Sequence, residues 1–129
     1  MADLATDFGT LHHEDAGAGE PVLLVHGWAY ASGVFDDLAA DLARTRRVVR
    51  PDLRGHGRSS PGPFTLAELA FDLAGLAERL GLERAVVLGW SLGAQVALAA
   101  LPRLHHRVRA LVLVAATPRF TAGEGWPHG

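Results

Sequence analysis

The pattern Gly89-x-Ser91-x-Gly93 constrains the fold of this chain more than any other feature, because of the segments on either side of it. The apolar run 85–88 directly before it predicts a β-strand, and the run 94–100 directly after it predicts an α-helix. A chain that passes from strand to helix within five residues must make a sharp turn, and two glycines in those five residues favour one. The pattern is therefore typical of a layered α/β domain.

The first half of the chain supplies further α/β elements. Residues 21–25 form an apolar, partly β-branched run, which predicts a strand buried on both faces. Residues 34–44 carry apolar positions at helical spacing, and Ser32 is placed to cap that helix. Residues 47–50 predict a second strand that Pro51 stops, and the Gly-, Pro- and Ser-rich stretch 52–63 predicts a loop. Residues 9–14 are a candidate edge hairpin strand.

The second half continues the alternation. Thr65 with Glu68 predicts a capping box, and Gly81 predicts the C-terminal cap of the helix that follows it. That helix has one apolar stripe, formed by Leu66, Leu69, Ala70, Leu73, Leu76, Ala77 and Leu80. Pro102 predicts the end of the next helix or a kink in it. Residues 108–115 predict one more buried strand, and residues 116–129 predict a loop.

The order of elements is β-α-β-α-β-α-β, and each helix is long enough to return the next strand parallel to the last. We expect one α/β domain with a mostly parallel sheet and helices on both faces. The core extends over about residues 20–116.

Composition excludes several classes of function. The chain has 129 residues with 12 basic and 14 acidic side chains, and this balance shows no nucleic-acid footprint and no basic membrane patch. There is no cysteine, so disulfides and a thiol nucleophile are excluded. No His, Asp and Glu set has metal-ligand spacing, so no metal site is expected. The N-terminus lacks a signal-peptide pattern and no run is long enough to span a membrane, so we expect a cytoplasmic protein.

Ser91 is the candidate nucleophile. In a strand–turn–helix context the G-x-S-x-G pattern is a nucleophile elbow, and Gly89 and Gly93 fit a turn in which larger side chains would collide. A Gly-rich turn with a helix-capping serine is the alternative. His26, Gly27 and Trp28 end the first buried strand, where the elbow architecture takes one oxyanion-hole N–H. The two donors are then the backbone N–H groups of Trp28 and Leu92.

Histidines elsewhere in the chain are interpreted as structural. His56 lies between two glycines in the loop 52–63, which Asp52 and Arg54 are placed to fix by hydrogen bonds. Adjacent histidines such as His12 and His13 point to opposite faces of a strand and do not readily share a metal.

These motifs resemble those of the α/β-hydrolase superfamily. The segments that carry the resemblance are 22–28, 52–59, 88–93, 107–115 and the Thr117-Pro118-x-Phe120 to Trp126-Pro127 tail. Trp28, Trp90 and that tail are most similar to the pimeloyl-[acyl-carrier protein] methyl ester esterases of biotin synthesis. The resemblance implies Ser91 as nucleophile and Trp28 and Leu92 as substrate and oxyanion contacts. It also implies hydrolysis of an acyl ester carried on acyl-carrier protein, with no cofactor.

The chain departs from the family pattern in two ways. Ala94 stands where a second glycine commonly follows the elbow, and the chain is about half the family length. The resemblance places the triad Asp and His after the nucleophile, so neither Asp52 nor His56 is a triad candidate. The triad Asp and His are expected to be absent from these 129 residues, and 117–129 to begin the connection to a lid. We expect an incomplete, inactive esterase with an exposed apolar strand 108–115. The alternatives are another serine α/β-hydrolase, such as an enol-lactonase or broad carboxylesterase, and a non-catalytic binding module.

Overall fold

The structure, a computed structural model, describes residues 2–6, 9–62 and 64–116. These residues form a six-stranded sheet with helices on both faces. The strands are β1 (Ala2–Thr6), β2 (Gly9–Ala16), β3 (Pro21–Val25), β4 (Arg47–Pro51), β5 (Ala85–Trp90) and β6 (Val108–Val114). The α-helices are α1 (Asp36–Leu42), α2 (Leu66–Arg79) and α3 (Leu92–Leu104), and short 3-10 helices cover Ser32–Phe35 and His105–Arg107. None of the described helices combines the length and the apolar character that a membrane crossing requires.

The sheet order is β1-β2-β4-β3-β5-β6. The N-terminal hairpin β1–β2 joins β4 in antiparallel fashion. The other four strands are parallel, and each crossover between them contains a helix. The predicted α/β class, the mostly parallel sheet and the helix–strand alternation are therefore confirmed.

Two hydrophobic cores lie on opposite faces of the sheet. Helices α2 and α3 cover one face, where Leu23, Val49 and Val87 are almost fully buried. Helix α1 and its 3-10 turn cover the other, where Phe35 and Ala39 pack against Leu24. All five residues of β3 are buried, as predicted for a strand at the centre of a doubly covered sheet.

Helix α2 follows its sequence signals at both ends. The Glu68 N–H donates to the Thr65 hydroxyl over 3.2 Å, which confirms the N-terminal cap. Gly81 has a φ of 64°, and the Leu82 N–H donates to the Ala77 carbonyl over 3.0 Å, which is the bond of a Schellman cap. Leu66 belongs to the predicted apolar stripe, but its side chain is exposed in the first turn of α2.

The first predicted helix differs from the structure. A 3-10 turn replaces its start, and the α-helix ends at Leu42. The side chain of Ser32 does not cap the helix. Instead, the backbone N–H of Ser32 donates to the Asp52 carboxylate over 2.7 Å. With the first turn tightened, Phe35 and Ala39 point into the core while Val34 and Leu38 are exposed.

Pro102 was predicted to end or kink α3; it lies inside the helix, which continues to Leu104, so it does not end it. The N-terminal strand β1 was not anticipated. The predicted strand 108–115 exists as β6, but it is not buried. It is an edge strand of the described sheet, and Val112, Leu113 and Val114 are exposed, in agreement with the expectation of an exposed apolar strand. Of the predicted loop 116–129, residues 117–129, with the expected connection to a lid, lie outside the described residues.

Candidate active site

The strand order places a crevice between the carboxyl ends of β3 and β5. From β3 the chain moves outward to β4, and it then crosses back to place β5 on the other side of β3. In open parallel sheets, ligands bind outside the carboxyl ends of strands where the direction of winding reverses. The segments that leave the sheet at this point are His26–Gly27–Trp28 and Trp90–Ser91–Leu92.

Ser91 lies in a strained turn between β5 and α3. Its φ of 55° and ψ of −115° are unusual for a residue with a side chain. The Ser91 N–H donates to the Val114 carbonyl at the end of β6 over 2.9 Å, and the Ala94 N–H donates to the Ser91 carbonyl over 3.0 Å. The hydroxyl does not cap α3 and bonds to no described side chain. This geometry matches the predicted elbow and contradicts the alternative of a capping serine.

The elbow glycines are required by close backbone approaches. A Cβ atom on Gly89 would lie 2.6 Å from the Ala94 Cα, so the turn itself excludes a side chain there. A Cβ atom on Gly93 would lie 2.1 Å from the Val25 carbonyl oxygen, so the N-terminus of α3 packs directly on β3. The collisions predicted from the sequence are therefore real. At Gly93, however, the obstacle is the neighbouring strand rather than the other side of the turn.

Two backbone amides are available beside the elbow. Neither the Trp28 N–H nor the Leu92 N–H bonds to another described residue, whereas the Ser91 N–H is occupied by Val114. Leu92 is the first residue of α3, so its N–H points out of the helix N-terminus. Gly27 links the two segments, since a Cβ atom there would lie 3.4 Å from the Ser91 Cβ. The segment that carries the Trp28 amide therefore lies next to the Ser91 turn.

His26 fixes the end of β3 from within the core. It is fully buried; its Nε2 accepts from the Leu53 N–H over 2.9 Å, which leaves Nδ1 to donate to the Gly27 carbonyl over 2.7 Å. Burial lowers the pKa of His26, and the nearby His56 lowers it further, against the opposing effects of the Gly27 carbonyl and Asp52. His26 is therefore a neutral ring that joins the Gly27 turn to the loop after β4.

The loop after β4 is held by Asp52 and Arg54, as predicted. Asp52 accepts from the Ser32 N–H over 2.7 Å and from the Arg58 N–H over 3.0 Å. Burial acts to raise the pKa of Asp52, but these donors outweigh it and the pKa lies below its usual value. Arg54 forms a buried bidentate pair with Asp72 of α2, with both N–O distances 2.9 Å. Both residues are engaged in holding this loop.

Two aromatic groups, which the sequence did not single out, involve residues next to the elbow and to the turn after β3. The exposed Trp28 ring makes edge contacts with Phe64 and His56, at centroid distances of 5.1 and 5.6 Å. Tyr30 packs against Trp90 at 4.8 Å. No periodicity marks Tyr30 or Phe64 in the sequence, because both lie in loops that only the fold brings to the elbow.

The chain belongs to the α/β hydrolase fold family. The family model, described as "alpha/beta hydrolase fold", matches residues 20–128. The sheet, the elbow after β5 and the turn after β3 are where this fold places a catalytic centre.

Curated relatives narrow the comparison. The chain is 38% identical over 120 residues to the pimeloyl-[acyl-carrier protein] methyl ester esterase of Nitrosomonas europaea, covering 93% of this chain and 46% of that protein. It is 42% identical over 118 residues to the enzyme of the same name from Stenotrophomonas maltophilia, covering 92% of this chain and 44% of that protein. The chain thus spans just under half the length of these relatives.

Solved structures also show similarity to esterases over about half of their chains. A thermophilic esterase from Thermogutta terrifontis superposes with a TM-score of 0.84 at 35% identity, over 95% of this chain and 48% of that one. The sequence-based resemblance to this superfamily, and within it to pimeloyl esterases, is therefore confirmed.

Proposed function

We propose that this chain carries the nucleophile and oxyanion-binding half of a serine carboxylic-ester hydrolase. The observation that carries the proposal is the strained Ser91 at the sheet crevice, near two backbone amides that no described residue pairs with. The names of its relatives point to a methyl ester of pimeloyl attached to acyl-carrier protein as the substrate. We infer the same substrate class here.

The proposed reaction begins when Ser91 Oγ attacks the ester carbonyl carbon. The carbonyl oxygen becomes an oxyanion that accepts hydrogen bonds from the Trp28 and Leu92 N–H groups. The serine proton passes to a base and from it to the departing alcohol, methanol for a methyl ester, which leaves an acyl-serine. Water then attacks that ester and releases the acid. Ser91 contacts no described side chain that could act as this base, so the base lies outside the described residues.

The test is covalent labelling of Ser91 by a fluorophosphonate probe, with the modified residue identified by peptide mass spectrometry. When the C-terminal half of a relative is supplied, we expect labelling well above that of a free serine, and none in S91A. The proposal is contradicted if the folded wild-type chain, supplied with that half, is labelled no faster than S91A. That result would favour the non-catalytic binding module.

The oxyanion donor can be tested separately at Leu92. This residue occupies the first position of α3, where proline is well tolerated but removes the N–H group. We expect L92P to slow labelling of Ser91 by about 10²-fold, the cost of one lost oxyanion donor. L92A is the matched control, because it truncates the same side chain and keeps the amide. Equal rates in L92P and L92A would remove Leu92 from the proposed site.

The substrate is tested by comparison. In a full-length enzyme that contains this chain, we expect faster hydrolysis of methyl pimeloyl carrier protein than of short aryl esters or enol-lactones. The reverse order would point to a broad carboxylesterase or a lactonase.

A further inference from the structure

We propose that Phe64 is a positioning residue that sets the ester site's preference for a long apolar acyl chain, acting through the ring of Trp28. The proposal rests on the proposed function, since it concerns the substrate contacts beside Ser91. It adds a residue that lies 27 positions before the nucleophile, in the loop that leads into α2.

Trp28 needs an external support to keep one orientation. Its side chain is 63% exposed, and it follows Gly27, where an added Cβ atom would lie 3.3 Å from Trp90 and 3.4 Å from the Ser91 Cβ. An exposed indole loses rotamer freedom only when other groups hold it. Phe64 does so with a near-perpendicular contact, 5.1 Å between centroids at 87°, and His56 makes a second one at 5.6 Å and 82°. Such edge-to-face contacts are the favoured geometry of aromatic pairs.

Phe64 is itself well placed to give that support. It directly precedes Thr65, the capping residue of α2, so its backbone is fixed by the helix start. Its ring packs over Gly55, where a Cβ atom would lie 3.8 Å from the Phe64 Cδ2. It also lies 5.5 Å from His56, whose ring in turn packs on the buried His26 at 5.1 Å. Phe64 and His56, which contact Trp28, are thus connected through His26 to the end of β3.

The chemistry of this wall favours an apolar ligand. Phe64 and Trp28 are exposed, and Tyr30 and Trp90, the residue before Ser91, form a second aromatic pair. An acyl chain that covers such rings gains free energy, about 25 cal/mol for each Å² of apolar surface removed from water. A short acyl group does not extend far enough to gain from them. Chain-length preference is therefore the property that Phe64 controls.

The experiment measures the second-order rate constants for labelling Ser91 with two fluorophosphonates, one with an octyl tail and one with an ethyl tail. Their ratio within one preparation is independent of the folded fraction. We expect the wild-type chain to favour the octyl probe and F64A to lower that ratio about fivefold, through loss of roughly 1 kcal/mol of apolar contact. F64W should restore the ratio. The matched control is F71A, since Phe71 is also an exposed phenylalanine but lies in α2 against Arg103.

A spectroscopic measurement tests the contact itself. Near-ultraviolet circular dichroism of W28F identifies the Trp28 band, which should be lost in F64A and kept in F71A. An unchanged tail ratio or an unchanged Trp28 band in folded F64A overturns the proposal, as does an equal loss in F71A. Failure of both probes to label the wild-type chain, even with the C-terminal half of a relative supplied, would instead overturn the proposed function, and the role of Phe64 with it.

Discussion

Strain at single residues is concentrated around the crevice. Of the described residues other than glycine, Ala29, Arg84, Ser91 and Ala115 have a positive φ, and three of these four follow the carboxyl ends of β3, β5 and β6. A left-handed backbone costs a residue with a side chain about 1–2 kcal/mol. Strain of this kind persists where the surrounding structure enforces it, and it is common at functional sites.

Replacing Ser91 by glycine should therefore raise the free energy of unfolding and abolish labelling. Glycine accepts the φ of 55° without steric cost, but its unfolded chain is more flexible. We expect S91G to gain about 1 kcal/mol in the free energy of unfolding and to lose all fluorophosphonate labelling. R84G is the matched control, because Arg84 has the same φ away from the elbow. It should gain similar stability and keep labelling. A destabilised S91G in urea unfolding would show that the turn is not strained.

His13 makes the stability of the fold depend on pH. It is buried, and neither ring nitrogen has a hydrogen-bond partner among the described residues. Burial lowers its pKa, with a smaller contribution from His12, and outweighs the Asp15 and Asp3 carboxylates, which raise it. The unfolded chain then binds a proton near pH 6.5, before the folded chain does. Stability is complete above that pH and is lost as the pH falls from there towards the lowered pKa of the folded state.

Replacing His13 by leucine should remove this dependence in part. We expect H13L to be about 1 kcal/mol more stable at pH 7.5, since two unpaired buried polar atoms disappear. Thermal melts between pH 7.5 and 5.5 should show a smaller loss of Tm in H13L than in the wild-type chain. The pKa of buried His26 is also lowered, so H13L will keep part of the dependence of stability on pH. H105L replaces an exposed histidine and should leave the wild-type slope unchanged. An identical slope in H13L would contradict the prediction.

At the scale of elements, the contact between α3 and β3 sets the position of the nucleophile. A methyl group at Gly93 would overlap the Val25 carbonyl oxygen at 2.1 Å, so G93A must push the helix start away from the strand. We expect a loss of about 3 kcal/mol or more in the free energy of unfolding and a displaced Ser91. G75A is the matched control within a helix, because nothing lies within 4 Å of the added methyl. It should gain up to about 1 kcal/mol from helix propensity alone. Equal urea midpoints for G93A and G75A would contradict the packing argument.

The elements that local chemistry determines were predictable from the sequence. The cap at Thr65, the Gly81 terminus and the buried run of β3 each depend on residues a few positions apart. The elbow belongs with them, because its strand, turn and helix signals are contiguous. The first helix was predicted less well, since the bond from Ser32 to Asp52 draws its first turn into a 3-10 form. That bond joins residues 20 positions apart, and no local pattern reports it.

The candidate site shows the same division. Ser91, its glycines and the turn after β3 carry motifs, whereas Phe64 and Tyr30 reach the crevice only through tertiary contacts. β1 was missed for a related reason: its five residues have little apolar alternation, and its pairing with β2 is what defines it as a strand.

At the scale of the whole molecule, the described sheet ends in an apolar strand. Among the described strands, β6 pairs with β5 alone, and Val112 and Val114 share the face that half-buried Leu88 and Trp90 occupy on β5. On this face the core is formed by residues of β3, β4, α1 and the 3-10 turn, and Leu88 and Trp90 of β5 are only partly buried against it. Exposed apolar edges of this kind template pairing with other chains. The purified 129-residue chain should therefore self-associate.

Charges placed on the stripe should oppose that association. We expect V112K/V114K to reduce the weight-average mass in static light scattering towards the 13.7 kDa of one chain. V34K is the matched control, because Val34 is equally exposed but lies in the 3-10 turn away from β6. Its mass should remain that of the wild-type assembly. Since Ser91 is anchored to the Val114 carbonyl through backbone atoms alone, the lysine side chains should leave the elbow and its labelling intact. A wild-type chain that is already a monodisperse, cooperatively melting monomer would show that the edge of β6 is covered, and the stripe would then no longer explain any association.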